Sequence, residues 1–220
     1  NPAGITSTLE NRKAVYELAR KYDVLIIEDN PYGDLRFAGE DVPTYKSFDT
    51  DGRVVYCGSF SKILSAGIRV GTLTANKELV SKIVVAKQVE DVHTNVFFQM
   101  VCAKYMSEYD LEGHIEKIRK LYMHKAGLMI AALEKYMPAD VKFTRPDGGI
   151  FLWCSLPEGY SLDEFVKRCS DKNVFVVPGT AFLPDESEVT RSFRLNYSMP
   201  SDEEIDRGIK LLADVVEEMR

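Results

Sequence analysis

The stretch that decides the fold is Val54-Val55-Tyr56-Cys57-Gly58-Ser59-Phe60-Ser61-Lys62, followed by Ser65-Ala66-Gly67-Ile68-Arg69. An apolar, β-branched run of this kind reads as a buried strand. It closes in small hydroxylated residues, and a lysine stands where the strand opens into a loop. In open α/β sheets, ligands collect in the crevice beyond the carboxyl ends of the strands. Lys62, placed there among Ser59, Ser61 and Arg69, has the parts to form an imine and hold a phosphate nearby. Serines also flank many ordinary solvated lysines, so this stretch alone leaves both readings open.

Upstream, Val24-Leu25-Ile26-Ile27 leads into Glu28-Asp29-Asn30-Pro31-Tyr32. The run does not alternate, which predicts a strand over 24–28 buried on both faces of a parallel sheet. Before it, a helix over 9–21 is capped by Thr6 or Ser7, with Ser7 and Glu10 at capping-box spacing. Helix, strand, connection, strand is the order of a doubly wound α/β domain. Residues 34–52 read as loop, 54–58 and 69–75 as the next strands. Helices follow over 77–90, 95–109 and 111–137, the last stopped by Pro138. The apolar stripe of that last helix, Ile115, Ile118, Leu121, Tyr122, Leu128, Met129, Ala132 and Leu133, reads as core packing. The remainder is β-rich, with strands at 141–144, 150–155, 174–177 and 192–197. Ser161 caps one helix there. Ser201 opens the last, whose acidic first turn suits the helix dipole and whose Ile205, Ile209, Leu212 and Val216 face inward.

Composition narrows the function classes. The chain has 220 residues, 45% hydrophobic and 28% charged, with a formal net charge of −6. That balance argues against non-specific nucleic-acid binding, which draws on basic patches. No apolar run approaches the roughly 20 residues that span a bilayer, and no charged-then-apolar leader opens the sequence, so a cytoplasmic protein is expected. Cys57, Cys102, Cys154 and Cys169 form no C-x-x-C pair, and His93, His114 and His124 are scattered. Neither a disulfide framework nor a metal site is expected from them, and packing or surface roles are assigned to all seven.

Four motifs in order carry more than any one. They are Asn1-Pro2-Ala3-Gly4, Asp29-Asn30-Pro31-Tyr32, Ser59 to Arg69 with Lys62, and Arg194-Leu195-Asn196-Tyr197-Ser198. In this order the chain resembles the fold-type-I aminotransferases that use pyridoxal 5′-phosphate (PLP), more narrowly the class I/II group with the α-aminoadipate and aromatic enzymes. Gly148-Gly149-Ile150-Phe151 and Val177-Pro178-Gly179-Thr180-Ala181-Phe182 resemble small-domain signatures of the same family. The resemblance implies the second half of a three-layer α/β/α large domain over 1–95. Connecting helices over 96–137 and a small α+β domain over 138–220 would follow. The chain starts inside a motif the family places well within the protein, so a C-terminal portion is expected.

The resemblance also implies roles. Lys62 would be the Schiff-base lysine and proton shuttle, Asp29 the partner of the pyridine nitrogen, and Tyr32 and Asn1 the contacts to the ring 3′-oxygen. Ser59, Ser61 and Arg69 would grip the phosphate, and Arg194 would clamp the substrate carboxylate. The family usually carries proline at the position of Ala66, a change that removes no ligand. Partners would be small molecules, an amino acid and a 2-oxo acid, and a second subunit of a homodimer, with no nucleic acid and no membrane. Two rival readings share these residues: another PLP enzyme of the fold, a lyase or decarboxylase, and the effector domain of an aminotransferase-like transcription regulator.

Overall fold

A computed structural model describes residues 1–185 and 188–220. The chain packs as two units, Ser7–Ile118, and Arg119–Arg220 together with Asn1–Thr6. In the first, helix α1 (Leu9–Lys21) leads into strand β1 (Ile26–Asp29), which pairs in parallel with β2 (Val54–Ser59). Strand β3 (Gly71–Thr74) runs antiparallel on the other side of β2, and helices α2 (Lys77–Glu90) and α3 (Val96–Glu108) follow. Helix α4 (Leu111–Tyr136) contains the boundary between the units.

Two expectations for this unit need correcting. The cap of α1 is Thr8, whose hydroxyl accepts the Asn11 N–H at 3.2 Å, while the Ser7 hydroxyl accepts from Arg12. Strand β1 is not covered on both faces. Ile26 and Glu28 are half-buried, but Ile27 is 74% exposed, and Val24 and Leu25 are also exposed. A continuous apolar run signals burial on both faces only where layers cover both. Among the described residues nothing covers the face that Ile27 and Asp29 share. Helix α2 likewise has no buried residue, although Leu79, Ile83, Val84 and Val89 recur along it at turn spacing.

The segment between β1 and β2, read as loop, is tied down by Asp49. Its side chain is fully buried. The carboxylate accepts from Tyr16 Oη at 3.1 Å, from Lys46 Nζ at 2.9 Å, and from the N–H groups of Gly52, Arg53 and Val54. Burial alone would raise its pKa; the bonds from Lys46, Val54 and Tyr16 outweigh burial and hold it down at about 2. A carboxyl depressed in this way stabilises the fold above the unfolded-state value, and the contribution fades as pH falls from about 4 towards about 2. It amounts to about 2 kcal/mol. Asp49→Asn is therefore expected to lower unfolding free energy by roughly 2–3 kcal/mol at neutral pH. The difference from wild type should shrink on acidification, as read by urea melts at stepped pH. A difference that stays constant with pH would show that the charge of Asp49 is not what holds the segment.

The second unit is built on an antiparallel sheet in the order β4 (Lys142–Phe143), β5 (Phe151–Ser155), β7 (Ser192–Asn196), β6 (Val177–Pro178). On one face Leu152, Cys154, Phe193 and Leu195 are buried, opposed in register as Leu152 with Leu195 and Cys154 with Phe193. Phe165 and Cys169 of α5 (Leu162–Asp171) and Ile205, Ile209, Leu212 and Val216 of α6 (Asp202–Glu218) are buried with them. Phe165 and Phe193 ring centres lie 4.8 Å apart. Ser201 caps α6 in a full capping box with Glu204, which satisfies two orphan donors of the first turn. The strand expected at 174–177 is shorter and later, because Asn173 takes a left-handed φ of 58° and Val174 N–H closes onto Cys169 O. Val174 thus finishes α5 and is not free for the sheet. Among the described residues no helix is long and apolar enough to cross a membrane, and no cluster of metal-ligating side chains occurs.

Candidate active site

Parallel pairing sets the carboxyl ends of β1 and β2 side by side, with Asp29 opposite Cys57. Asn30 N–H continues the pairing onto Cys57 O at 2.9 Å. Burial and the neighbouring Asp29 carboxylate push the Cys57 thiol pKa up, so this cysteine stays a neutral thiol. After Ser59 the chain makes one helical turn. Leu64 and Ser65 N–H both reach Phe60 O, at 2.8 and 3.3 Å, and Phe60 N–H reaches Val70 O at 3.1 Å. Ser61 N–H bonds Ser59 Oγ at 3.1 Å. Lys62 rides on this turn, and its Nζ lies 5.8 Å from the centre of the Tyr32 ring.

Arg69 returns to the same turn. Its guanidinium donates to Ser61 Oγ at 3.2 Å and to Ala66 O at 3.0 Å. It does so from a left-handed backbone, φ 53°, a conformation costly for a residue with a side chain and found where a site over-determines it. Lys62, Tyr32, Asp29, Ser59, Ser61 and Arg69 therefore share one unit, about the carboxyl ends of β1 and β2. The Ser61 hydroxyl and the Arg69 guanidinium meet there and Ser59 bonds the Ser61 N–H, groups that suit a phosphate dianion, with a carboxylate on the adjacent strand end. The donor set fits PLP.

Asn1 and Arg194 form a separate cluster in the second unit. Arg194 donates to Asn1 Oδ1 at 2.6 Å. Its guanidinium lies 4.0 Å from the Phe151 ring centre and 5.0 Å from that of Phe182, and Trp153 stands edge-on to Phe182. Sequence reasoning quoted the two motifs that end in Phe151 and Phe182 without giving either ring a role. Strand register supplies the missing signal, since Trp153 pairs with Arg194 and Phe151 with Asn196, so these side chains share the face away from the helices. The sequence expectation set Asn1 against the ring 3′-oxygen; here its amide oxygen accepts from Arg194.

The chain was compared with known proteins. A profile of the family described as aminotransferase class I and II matches residues 1–212. Aromatic-amino-acid aminotransferase 1 of Thermococcus litoralis is 43% identical over 99% of this chain and 52% of its own length. The structure of a Pyrococcus horikoshii kynurenine aminotransferase in complex with PMP superposes with TM-score 0.96 at 42% identity, covering 99% of this chain and 54% of that one. The α-aminoadipate aminotransferase of Thermus thermophilus, complexed with N-(5′-phosphopyridoxyl)-L-leucine, gives 0.93 at 32% identity, covering 100% and 57%. The chain thus spans about half the length of the relatives it matches, and its α/β fold is theirs.

Proposed function

Since the chain belongs to the class I and II aminotransferases, we propose that it supplies the catalytic lysine, the coenzyme grip and the carboxylate clamp of a PLP-dependent aminotransferase. The reaction moves an amino group between an amino acid and a 2-oxo acid. The observation that carries this reading is Lys62 on a tied turn beside the Ser61–Arg69 pair, at the carboxyl edge of parallel strands. When bound, PLP supplies an electron sink for negative charge on the substrate Cα. Ser59, Ser61 and Arg69 grip its phosphate through charge-assisted hydrogen bonds. Asp29 holds a proton on the ring nitrogen, because a facing carboxylate favours the charged ring. Tyr32 and Asn1 serve the 3′-oxygen. Lys62 Nζ would hold the coenzyme and, once released from it, would serve as the group that moves a proton at the substrate Cα. Arg194 presents a planar fork to the substrate carboxylate, which lysine would not match.

Residues 1–95 are read as part of the coenzyme domain, 96–137 as connecting helices and 138–220 as the small domain, within a homodimer. The activity is proposed for a protein of the relatives' full length. The test is an amino-donor screen on that protein with PLP and a 2-oxo acid acceptor. Amino transfer to the acceptor is the expected result. Ammonia or carbon dioxide released in its place would move the assignment to a lyase or decarboxylase, since one fold hosts several reactions.

A further inference from the structure

The turn that carries Lys62 is a single helical turn that does not continue, so its last carbonyl groups lack helical partners. Phe60 O is satisfied by Leu64 and Ser65. Ile63 O, on the residue after Lys62, meets the imidazole Nε2 of His114 at 2.9 Å, across 51 residues of sequence. A carbonyl oxygen can only accept, so Nε2 carries the proton of this bond. The ring itself is held on both sides of this bond. His114 sits in the first turn of α4, which Asp110 caps by accepting Gly113 N–H at 2.8 Å, and its own N–H bonds Asp110 O at 3.1 Å. From α3, Tyr105 stands edge-on to the imidazole with ring centres 5.9 Å apart, itself stacked on Tyr109 at 5.2 Å. Ile63 is buried, so its peptide cannot turn to water without moving that side chain.

We propose that His114 is a positioning residue for Lys62: it caps Ile63 O and so fixes the Ile63–Leu64 peptide that closes the turn carrying Lys62. Composition and spacing assigned this histidine to packing or surface, and packing alone would be satisfied by any ring of its size. Donation is the property that separates the two. The proposal rests on Lys62 being the reactive lysine, and its readouts need neither coenzyme nor turnover.

In the 220-residue chain, His114→Phe keeps the ring against Tyr105 and deletes the donor. His114→Gln puts an amide nitrogen where Nε2 stands. Loss of one such bond corresponds to roughly twofold to tenfold in a local opening equilibrium. Amide exchange at Leu64 and Ser65, followed by mass spectrometry, should quicken by that factor in His114→Phe and return to the wild-type rate in His114→Gln. Acetylation of Lys62 at fixed pH should move in parallel. Wild-type exchange in His114→Phe, or no rescue by glutamine, overturns the proposal. Should His114→Phe not fold, nitrogen NMR of the wild-type imidazole still decides. A proton on Nε2 is expected, and an Nε2 that carries none overturns the proposal. Pyridoxyl labelling of a lysine other than Lys62 would instead sink the underlying lysine assignment, and it leaves the exchange and tautomer results to judge the hydrogen bond.

Discussion

Lys62→Ala is expected to abolish covalent attachment of PLP and to lower amino transfer at least about 10³-fold, the upper part of the range for a residue that moves a proton in the rate-determining step. Lys62 is the lysine that stands beside Ser61 and Arg69, on a turn whose backbone is bonded at both its start and its end. An alanine there keeps the turn, since neither the Phe60 carbonyl pattern nor the Ser59–Ser61 bond uses the lysine side chain. Lost activity would therefore report chemistry and not folding. The check, in the protein at its relatives' full length, is borohydride reduction in the presence of PLP followed by peptide mass mapping. Label on another lysine, or undiminished label in Lys62→Ala, would dismiss the assignment.

Arg194→Gln carries the second largest effect. Removing a charge-assisted bond to a carboxylate costs roughly 1.5–3 kcal/mol, about tenfold to over a hundredfold in kcat/KM for the amino donor. The Phe151 and Phe182 ring centres lie 4.0 and 5.0 Å from the guanidinium, and these aromatic contacts suit a flat, delocalised cation. For the same reason Arg194→Lys should rescue little: an ammonium lacks the fork and the flat faces that the rings engage. Affinity for PLP should stay near wild type in both variants. If PLP binding falls while donor kinetics hold, Arg194 serves the phosphate, and the carboxylate role passes elsewhere.

Much of this was legible in the residues, and the failures have causes. The lysine stretch could be read because strand, hydroxyls and lysine are contiguous and the chemistry is local. Capping by Ser161 and Ser201 was readable for the same reason. Thr8 was missed in favour of Ser7 because a one-residue shift of a helix start leaves the pattern of apolar positions unchanged. The exposure of Ile27 was unreadable, since a run of aliphatics records the environment a strand is built for and not the layers this stretch of chain supplies. The Arg194–Asn1 pair joins residues at opposite ends of the chain, and the His114–Ile63 pair joins a helix to a turn. No periodicity encodes either. They follow only once strand register and helix start are in place.

Helix α2 raises a different point. It is 14 residues long with no side chain buried, and Val84, Val85 and Val89 face water. A helix of that length is marginal in water by itself, and β-branched residues lower its propensity further. Its local support is the Asn76 cap on Leu79 N–H at 2.8 Å at one end and the Lys87–Asp91 pair at 2.6 Å at the other. A surface laid over these valines would therefore do two things at once, burying apolar area and holding the helix wound beneath it.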